Sequence, residues 1–448
     1  MQSRHAKIFL QDDLSFLPVI QTFIEKTALA FGSAPAEALA LTLAGEEIFT
    51  YLCDRVKPEA EIEINCSEGI YYTALTFTLP LRSMTMRAFN LTATINIDDE
   101  NSLNEMGLMI AARMVDQLQI TERDDDHLQL MLRKEKNYPE TAAGDIRPGS
   151  MPTDNFMAVE PDPEELKYFV NCSRSYVEAH LLPREFNSPG KIVDMVKSGD
   201  YQAAILRDPA GHIGGGILWH WYSSKVVECH GPFILADDTT DVTPEVRQQA
   251  AEILLEKCLN AIARTPVTAL LTRTPAPDLP HYHFETLGTT LRYHDSAPAT
   301  RIPALFRQLQ EDPGTVSWIH PALEDFLRSE YRRLALPREI RLTGDQGETG
   351  EDFSVLTTES DRTRQMITLY PLWTGRDMEK NIADHLSLCR SESFINIFFV
   401  LDLGRSSNSA FVPALLKNGF TPRLLLPYGG RGDLLILQET ETKGVETD

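Results

Sequence analysis

Three groups of residues in this sequence have the types and spacing for chemistry. Glu228-Cys229-His230 sits inside Val226 to Ile234, a run expected to form a strand. Alternation along a strand puts Glu228 and His230 on one face, where a carboxylate and an imidazole could take up or pass on a proton. The plainer expectation for the pair is a polar strand edge or a packed histidine. Trp373-Thr374-Gly375-Arg376-Asp377-Met378 leads into a helix, and there Gly375 permits close backbone approach while Arg376 offers charge to a phosphate. Its plain counterpart is an ordinary turn before a helix. His281-Tyr282-His283 brings two imidazoles together, but no further Cys, His or carboxylate stands at ligand spacing. A solvent-facing turn after Pro280 is therefore expected, and no metal site.

Other patterns carry less. Gly214-Gly215-Gly216 lies within a strand rather than between a strand and a helix, so it is no dinucleotide loop. Gly429-Gly430-Arg431-Gly432 turns the final hairpin, and no serine stands in a GxSxG elbow. Six cysteines (Cys53, Cys66, Cys172, Cys229, Cys258 and Cys389) are scattered without CxxC spacing. Zinc is not expected, and reduced, buried thiols in the cytoplasm are.

These groups need a frame to hold them. At 448 residues the chain is too long for one ordinary core, which suggests two to four domains. Hydrophobic content of 42% and charged content of 24% are those of a globular protein. A formal charge of −23 argues against nucleic acid or an anionic membrane as partner. The start, Met1 to Lys7, runs into an apolar piece broken by Asp12 and Asp13, which is not expected to be a signal peptide. No apolar run approaches the roughly 20 residues that span a bilayer.

The first segment predicts helices over Phe16 to Phe31, stopped by Gly32 and Ser33, and over Ala36 to Val56. Strands follow at Ile62 to Cys66, Tyr72 to Leu79 and Leu91 to Ile97, then a helix over Leu103 to Leu118 and a strand over Leu128 to Arg133. That is an α/β sandwich with helices on one face of a mixed sheet. Within it, Leu43-Ala44-Gly45-Glu46-Glu47-Ile48-Phe49-Thr50-Tyr51 and Glu105 to Asp116 resemble the two ends of a histidine-kinase-type ATP-binding domain of the anti-sigma-factor kinase kind. The resemblance puts Glu47 at the position of the catalytic Glu and Tyr51 at that of the Mg²⁺-holding Asn, where a phenol is no compact hard-oxygen ligand. It puts Leu79-Pro80-Leu81 where an Asp should read adenine, and leaves Gly107 and Leu108 as the remnant of the last nucleotide box. ATP–Mg²⁺ is accordingly not expected to bind, and the domain is read as a scaffold for a protein partner.

Tyr138 to Thr153 is rich in Pro and Gly and poor in apolar residues, so it reads as a linker. Beyond it an internal repeat begins, with Tyr176 to Glu185 matching Tyr331 to Glu339, both closing on Leu-Pro-Arg-Glu and each at the end of an amphipathic helix. In the first copy a hairpin around Asp208 to Gly211 precedes a strand at Val226 to Ile234, a helix at Thr243 to Arg264 and a strand at Val267 to Arg273. Matching pieces in the second copy are Phe353 to Thr358, Arg364 to Trp373, Asp377 to Arg390 and Ile395 to Leu401. Each copy is expected to close with a short helix ending in glycine, Phe284 to Gly288 and Leu415 to Gly419.

This order of elements resembles the GNAT acyltransferase fold. The fold class is thus α/β (α+β): a histidine-kinase-type ATPase-like domain at 1–140, a linker at 141–154, and GNAT-like mixed-sheet domains at 155–300 and 301–448. The resemblance implies a coenzyme A loop before the central helix of each copy. In the first copy that loop would hold Asp237, Asp238 and Asp241 and no glycine, so residual acetyl-CoA binding is expected, if anywhere, at Gly375 and Arg376 of the second. The family's proton-donating Tyr falls at Phe284 and Leu415, neither of which can donate, while its base would be Glu228 or His230. The expectation is a cytoplasmic regulatory or interaction protein with a protein partner and room for a small-molecule ligand. The alternatives are an acyl-CoA-dependent N-acyltransferase, favoured if the chain is an enzyme, and an ATP-dependent anti-sigma Ser/Thr protein kinase.

Overall fold

The computed structural model describes residues 4–55, 61–80, 90, 110–123, 127–139, 156–235, 243–294, 298–344 and 352–440. They divide into two compact units, 1–138 with 352–357, and 139–351 with 358–448.

The first unit begins with β1 (His5–Gln11), α1 (Leu17–Ala30) and α2 (Pro35–Arg55). It continues with β2 (Glu61–Glu68), β3 (Tyr72–Pro80), β4 (Gln117–Arg123) and β5 (His127–Glu135). The sheet order is β1-β2-β3-β5-β4, with every pairing antiparallel. Ile20, Ile24 and Ala28 recur four residues apart and are fully buried, which fixes the inner face of α1. Segment 352–357 belongs here because the Asn90 side chain donates to the Ser354 carbonyl at 2.9 Å and accepts from the Leu356 amide at 2.8 Å.

The second unit opens with β6 (Met157–Val159), α3 (Pro163–Tyr176), α4 (Pro189–Ser198), β7 (Gln202–Arg207), β8 (Ile213–Trp221) and β9 (Val226–Ile234). Then come α5 (Pro244–Ile262), β10 (Ala269–Thr272), β11 (Glu285–Arg292) and β12 (Thr300–Gln308). The second copy supplies β13 (Thr315–Ile319), α6 (Glu324–Arg333), β14 (Arg338–Leu342), β15 (Val355–Asp361, of which 358–361 fall in this unit), β16 (Met366–Trp373) and α7 (Met378–Ser391). It closes with β17 (Asn396–Asp402), α8 (Val412–Lys417), β18 (Phe420–Leu426) and β19 (Leu434–Glu439).

Apart from the small β13-β14 pair, these strands form one sheet in the order β15-β16-β17-β19-β18-β11-β12-β10-β9-β8-β7-β6. The order β9-β10-β12-β11 is mirrored by β16-β17-β19-β18, and in each half one central pair is parallel, β9 with β10 and β16 with β17. One mixed strand order thus occurs twice, and the two halves join at β11 and β18. Val227 and Cys229 pack with Ala250, Leu254 and Cys258 of α5, so Glu228 and His230 emerge on the opposite face. Gly216 lets α3 lie against that opposite face, since a Cβ there would meet the Phe169 ring at 2.8 Å.

The junction depends on side chains as much as on a ladder. Strands β11 and β18 share one register pair, Gly288 with Leu424. A Cβ on Gly288 would stand 2.2 Å from the Arg423 carbonyl oxygen, so only glycine permits that approach. Past Gly288, two buried amides of the second half take over. Gln438 exchanges hydrogen bonds with the backbone of Leu291, and Asn396 does the same with Tyr293, accepting at 2.8 Å and donating at 3.2 Å. Arg333 adds donors to the Thr286 and Leu287 carbonyls at 2.6 and 3.0 Å.

Several expectations change. Phe284 to Gly288 is not a helix: residues from Glu285 form β11, as suits the β-branched Thr286, Thr289 and Thr290. The helix expected to reach Leu118 gives way earlier. Residues 110–114 are helical, and the polar–apolar alternation of Gln117-Leu118-Gln119-Ile120 forms β4. The described strands of the first unit are antiparallel rather than mixed. Strand β12, which straddles the boundary placed at 300, pairs on both sides with β10 and β11 of the first copy. Strands β1 and β13 escaped notice because each is short and half exposed. Leu91 to Ile97, Gly107, Leu108, Asp237, Asp238, Asp241 and most of the linker lie outside the described residues.

Candidate ligand-binding site

Glu228 is buried on β9 and held by Arg273, just past the end of β10. Both carboxylate oxygens accept from the guanidinium, each at 2.8 Å. Burial alone would raise the Glu228 pKa, but the charge and hydrogen bonds of Arg273 more than reverse it and hold the carboxyl at about 2. His220 lies beside this pair, its Nε2 3.7 Å from Glu228, and its ring stacks on His230 at 5.5 Å between centroids. Burial, only partly opposed by the Glu228 charge, pushes His230 down to about 4, so it is neutral at pH 7. His230 is 8% exposed, and neither ring nitrogen has a hydrogen-bond partner.

Glu228, His230 and Arg273 form one wall of a cavity of about 210 Å³ on the face opposite α5. Thr290 and Arg292 of β11 continue that wall, and His180, Leu182 and Pro183 of the repeat motif also line it. The second half contributes Arg364, Met366, Thr368 and Tyr370 from around β16 and Asn396, Phe398 and Val400 from β17. Alternation explains the selection. Ile367 and Leu369 are buried on the other face of β16, leaving the even-numbered residues for the cavity.

The charges here are unusual for a chain of net charge −23. Three guanidinium groups line the cavity, against the single carboxylate of Glu228. Arg273 is matched by Glu228. Arg364 donates to the Leu182 and Ala179 carbonyls and has Asp361 at 3.6 Å. Arg292 has no hydrogen bond or ion pair among the described residues. Burial, and then the charge of Arg364, lowers its pKa. The clamps from Gln438 and Asn396 hold the residues on either side of it, so its backbone position is fixed, while its charge is opposed only through space by Asp361 and not by a bonded partner among the described residues.

The ligand atoms of His220, Glu228 and His230 lie within 4.8 Å of one another, a set that could hold a metal ion. A cation there would have to displace Arg273 from both Glu228 oxygens and sit beside a guanidinium, so the donor set fits poorly. Tyr222 and Tyr370 are the phenols on the cavity, and burial pushes both above their ordinary range.

Of the residues singled out in the sequence, Glu228 and His230 meet in this cavity. Gly375 and Arg376 do not line it; Gly375 is buried and Arg376 exposed at the start of α7. Glu47 is on α2 of the first unit, its pKa raised by burial and then by Glu46, and Tyr51 one turn on is buried. Phe284 packs against the core under α5 and Leu415 is fully buried, so neither reaches the cavity. His281 to His283 form a 3-10 turn after Pro280, and Tyr282 is exposed. Sequence reading missed Arg273, Arg292 and Arg364. The available signal was three arginines at strand ends of an acidic chain, but their convergence depends on how the two halves join.

No family model matches this chain, and no curated protein matches it. Among solved structures it is similar to an acetyltransferase of the GNAT family from Staphylococcus aureus Mu50, at 13% identity over 35% of this chain and all (100%) of that one, with a TM-score of 0.25. It is similar to spermidine N-acetyltransferase from Vibrio cholerae in complex with CoA and spermine, at 9% identity over 34% of this chain and 95% of that one, with a TM-score of 0.27. A third is an acetyltransferase from Streptococcus agalactiae 2603, at 15% identity over 34% and 98%, with a TM-score of 0.25. Each likeness spans about a third of this chain, and no cofactor or substrate is carried over from it.

Proposed function

We propose that this protein is a regulatory binding protein whose second unit receives a small molecule in the cavity between its two GNAT-like halves. The observation that carries this reading is the Arg273–Glu228 pair. The best-placed carboxylate on the cavity is fully engaged and ionised far below neutral pH, so it accepts no proton at pH 7. The neighbouring phenols are weak acids, and Phe284 and Leu415, at the positions matching the family's proton donor, supply no proton. What remains is a shaped, partly apolar cavity with oriented polar groups, which is the chemistry of recognition. The first unit is read as the half that meets a protein partner, with Tyr51 in place of a magnesium ligand.

A transferase remains the second reading, for one reason. In both halves the parallel pairing stops while a strand runs on, after Glu228 with Leu271 and after Leu369 with Phe399. Backbone groups past those points could receive an extended acyl-carrier arm as an added strand. The two readings separate in one assay: thiol release from acetyl-CoA by the full chain, with polyamines and lysine as acceptors. Binding without transfer predicts no release above the enzyme-free rate. Multiple turnovers that survive Glu228→Gln would refute the binding reading and leave the base to be found elsewhere.

A further inference from the structure

We propose that the cavity ligand is a small monocarboxylate with an apolar body, its carboxylate seated between Arg292 of the first half and Arg364 of the second. This rests on the reading of the cavity as a ligand site and adds the chemical class of the ligand. Three observations converge on it.

Arg292 is a half-buried guanidinium without a partner among the described residues, although the amide clamps at Leu291 and Tyr293 fix its backbone. Leaving such a group unsatisfied costs free energy that an anion would recover. Arg364 lines the same cavity, and its charge adds to burial in lowering the Arg292 pKa, a repulsion that an anion between them relieves. His180 feels the same field, since the Arg292 charge adds to burial in lowering its pKa.

The rest of the lining sets the body of the ligand. Met366, Phe398, Val400, Leu424 and Ile436 present an apolar floor from the second half. A cavity of about 210 Å³ has room for about seven waters, hence for a ligand of roughly that many non-hydrogen atoms or slightly more. The two unpartnered nitrogens of buried His230 supply one donor and one acceptor further along the lining, beside Glu228, for a second polar group. A bare phosphate would satisfy the arginines and waste the floor; a neutral hydrocarbon would do the reverse.

Because the two arginines belong to different halves, the carboxylate also bridges them. Ligand should therefore raise the stability of the whole second unit, by mass action on the folded state.

The test is calorimetric titration of the full chain with benzoate and its neutral analogue benzamide. Benzoate should bind at least tenfold more tightly than benzamide, and at least tenfold more tightly than acetate, which has the head group without the body. Arg292→Gln should remove the preference for benzoate over benzamide, whereas Arg292→Lys should keep part of it. Circular dichroism on each variant separates loss of binding from loss of fold. Equal binding of benzoate and benzamide, or a preference that survives Arg292→Gln in a folded protein, overturns the carboxylate assignment and leaves the cavity as a ligand site. If none of the three probes binds the wild type, the assignment and the reading beneath it both fall.

Discussion

Arg273→Met should convert Glu228 from a stabilising carboxylate into a buried acid, and the size of the effect follows from the structure. The Glu228 side chain is 2% exposed, so nearly all its stabilisation comes from the guanidinium that accompanies it. Its folded pKa is about 2 against an ordinary 4.5. That difference is roughly 3 kcal/mol at about 1.4 kcal/mol per unit. A carboxylate with a depressed folded pKa contributes in full above the ordinary value and loses the contribution as pH falls through the folded one. Wild type should therefore lose this stability between about pH 4.5 and 2, while Arg273→Met lacks it at pH 7 and shows no matching loss. Methionine keeps much of the packing volume, so the change reports mainly on charge. Urea unfolding monitored by tryptophan fluorescence suits the question, because Trp219, Trp221, Trp318 and Trp373 are the four tryptophans of the chain and all lie in the second unit. Glu228→Gln and the double variant complete a cycle that isolates the pair. A loss below about 1 kcal/mol at pH 7, or an unchanged acid profile, would refute the ion-pair argument.

Other consequences are open to direct measurement. Gly288→Ala must move the Arg423 carbonyl to make room, so it should destabilise the second unit by about 1–3 kcal/mol in the same fluorescence assay. Arg338 is fully buried between Asp312 at 2.9 Å and Asp433 at 2.7 Å; Arg338→Met leaves two buried carboxylates facing each other and should cost about 3–5 kcal/mol or prevent folding, as read by urea midpoint or soluble yield. His230, depressed from 6.5 to about 4 mainly by burial, makes the native state lose up to roughly 3 kcal/mol as pH falls across that interval. His230→Phe should flatten this part of the stability–pH profile, and an unchanged slope would count against a buried neutral imidazole.

Local patterning made much of the second unit legible. Asp208-Pro209-Ala210-Gly211 turns the β7–β8 hairpin, and Thr243 caps α5 as a threonine before proline should. The matching LPRE segments pointed to two copies, and the mirrored strand orders fit that duplication. Long-range pairing was not legible. Gly288 looked like the end of a helix because glycine often stops one; it is instead a point where two sheets meet, a role set by a carbonyl at Arg423, 135 positions further along the chain. Arg338 and its counterpart Arg184 read alike in sequence, yet Arg338 is buried in a charged triad and Arg184 is exposed. Glu228 and His230 could be placed on one face by alternation alone. That Arg273 would lock one of them, and that Arg292 and Arg364 would share their cavity, follows from the β11–β18 junction.

Amide hydrogen exchange on the full chain, with and without saturating benzoate, tests the central claim most directly. A ligand held between the halves should slow exchange on both sides of the junction at once, along β11 near Arg292 and along β16 and β17, while the α2 segment around Glu47 stays unchanged. Protection confined to the Thr374–Met378 loop, to the first unit or to one half alone would contradict a shared ligand cavity.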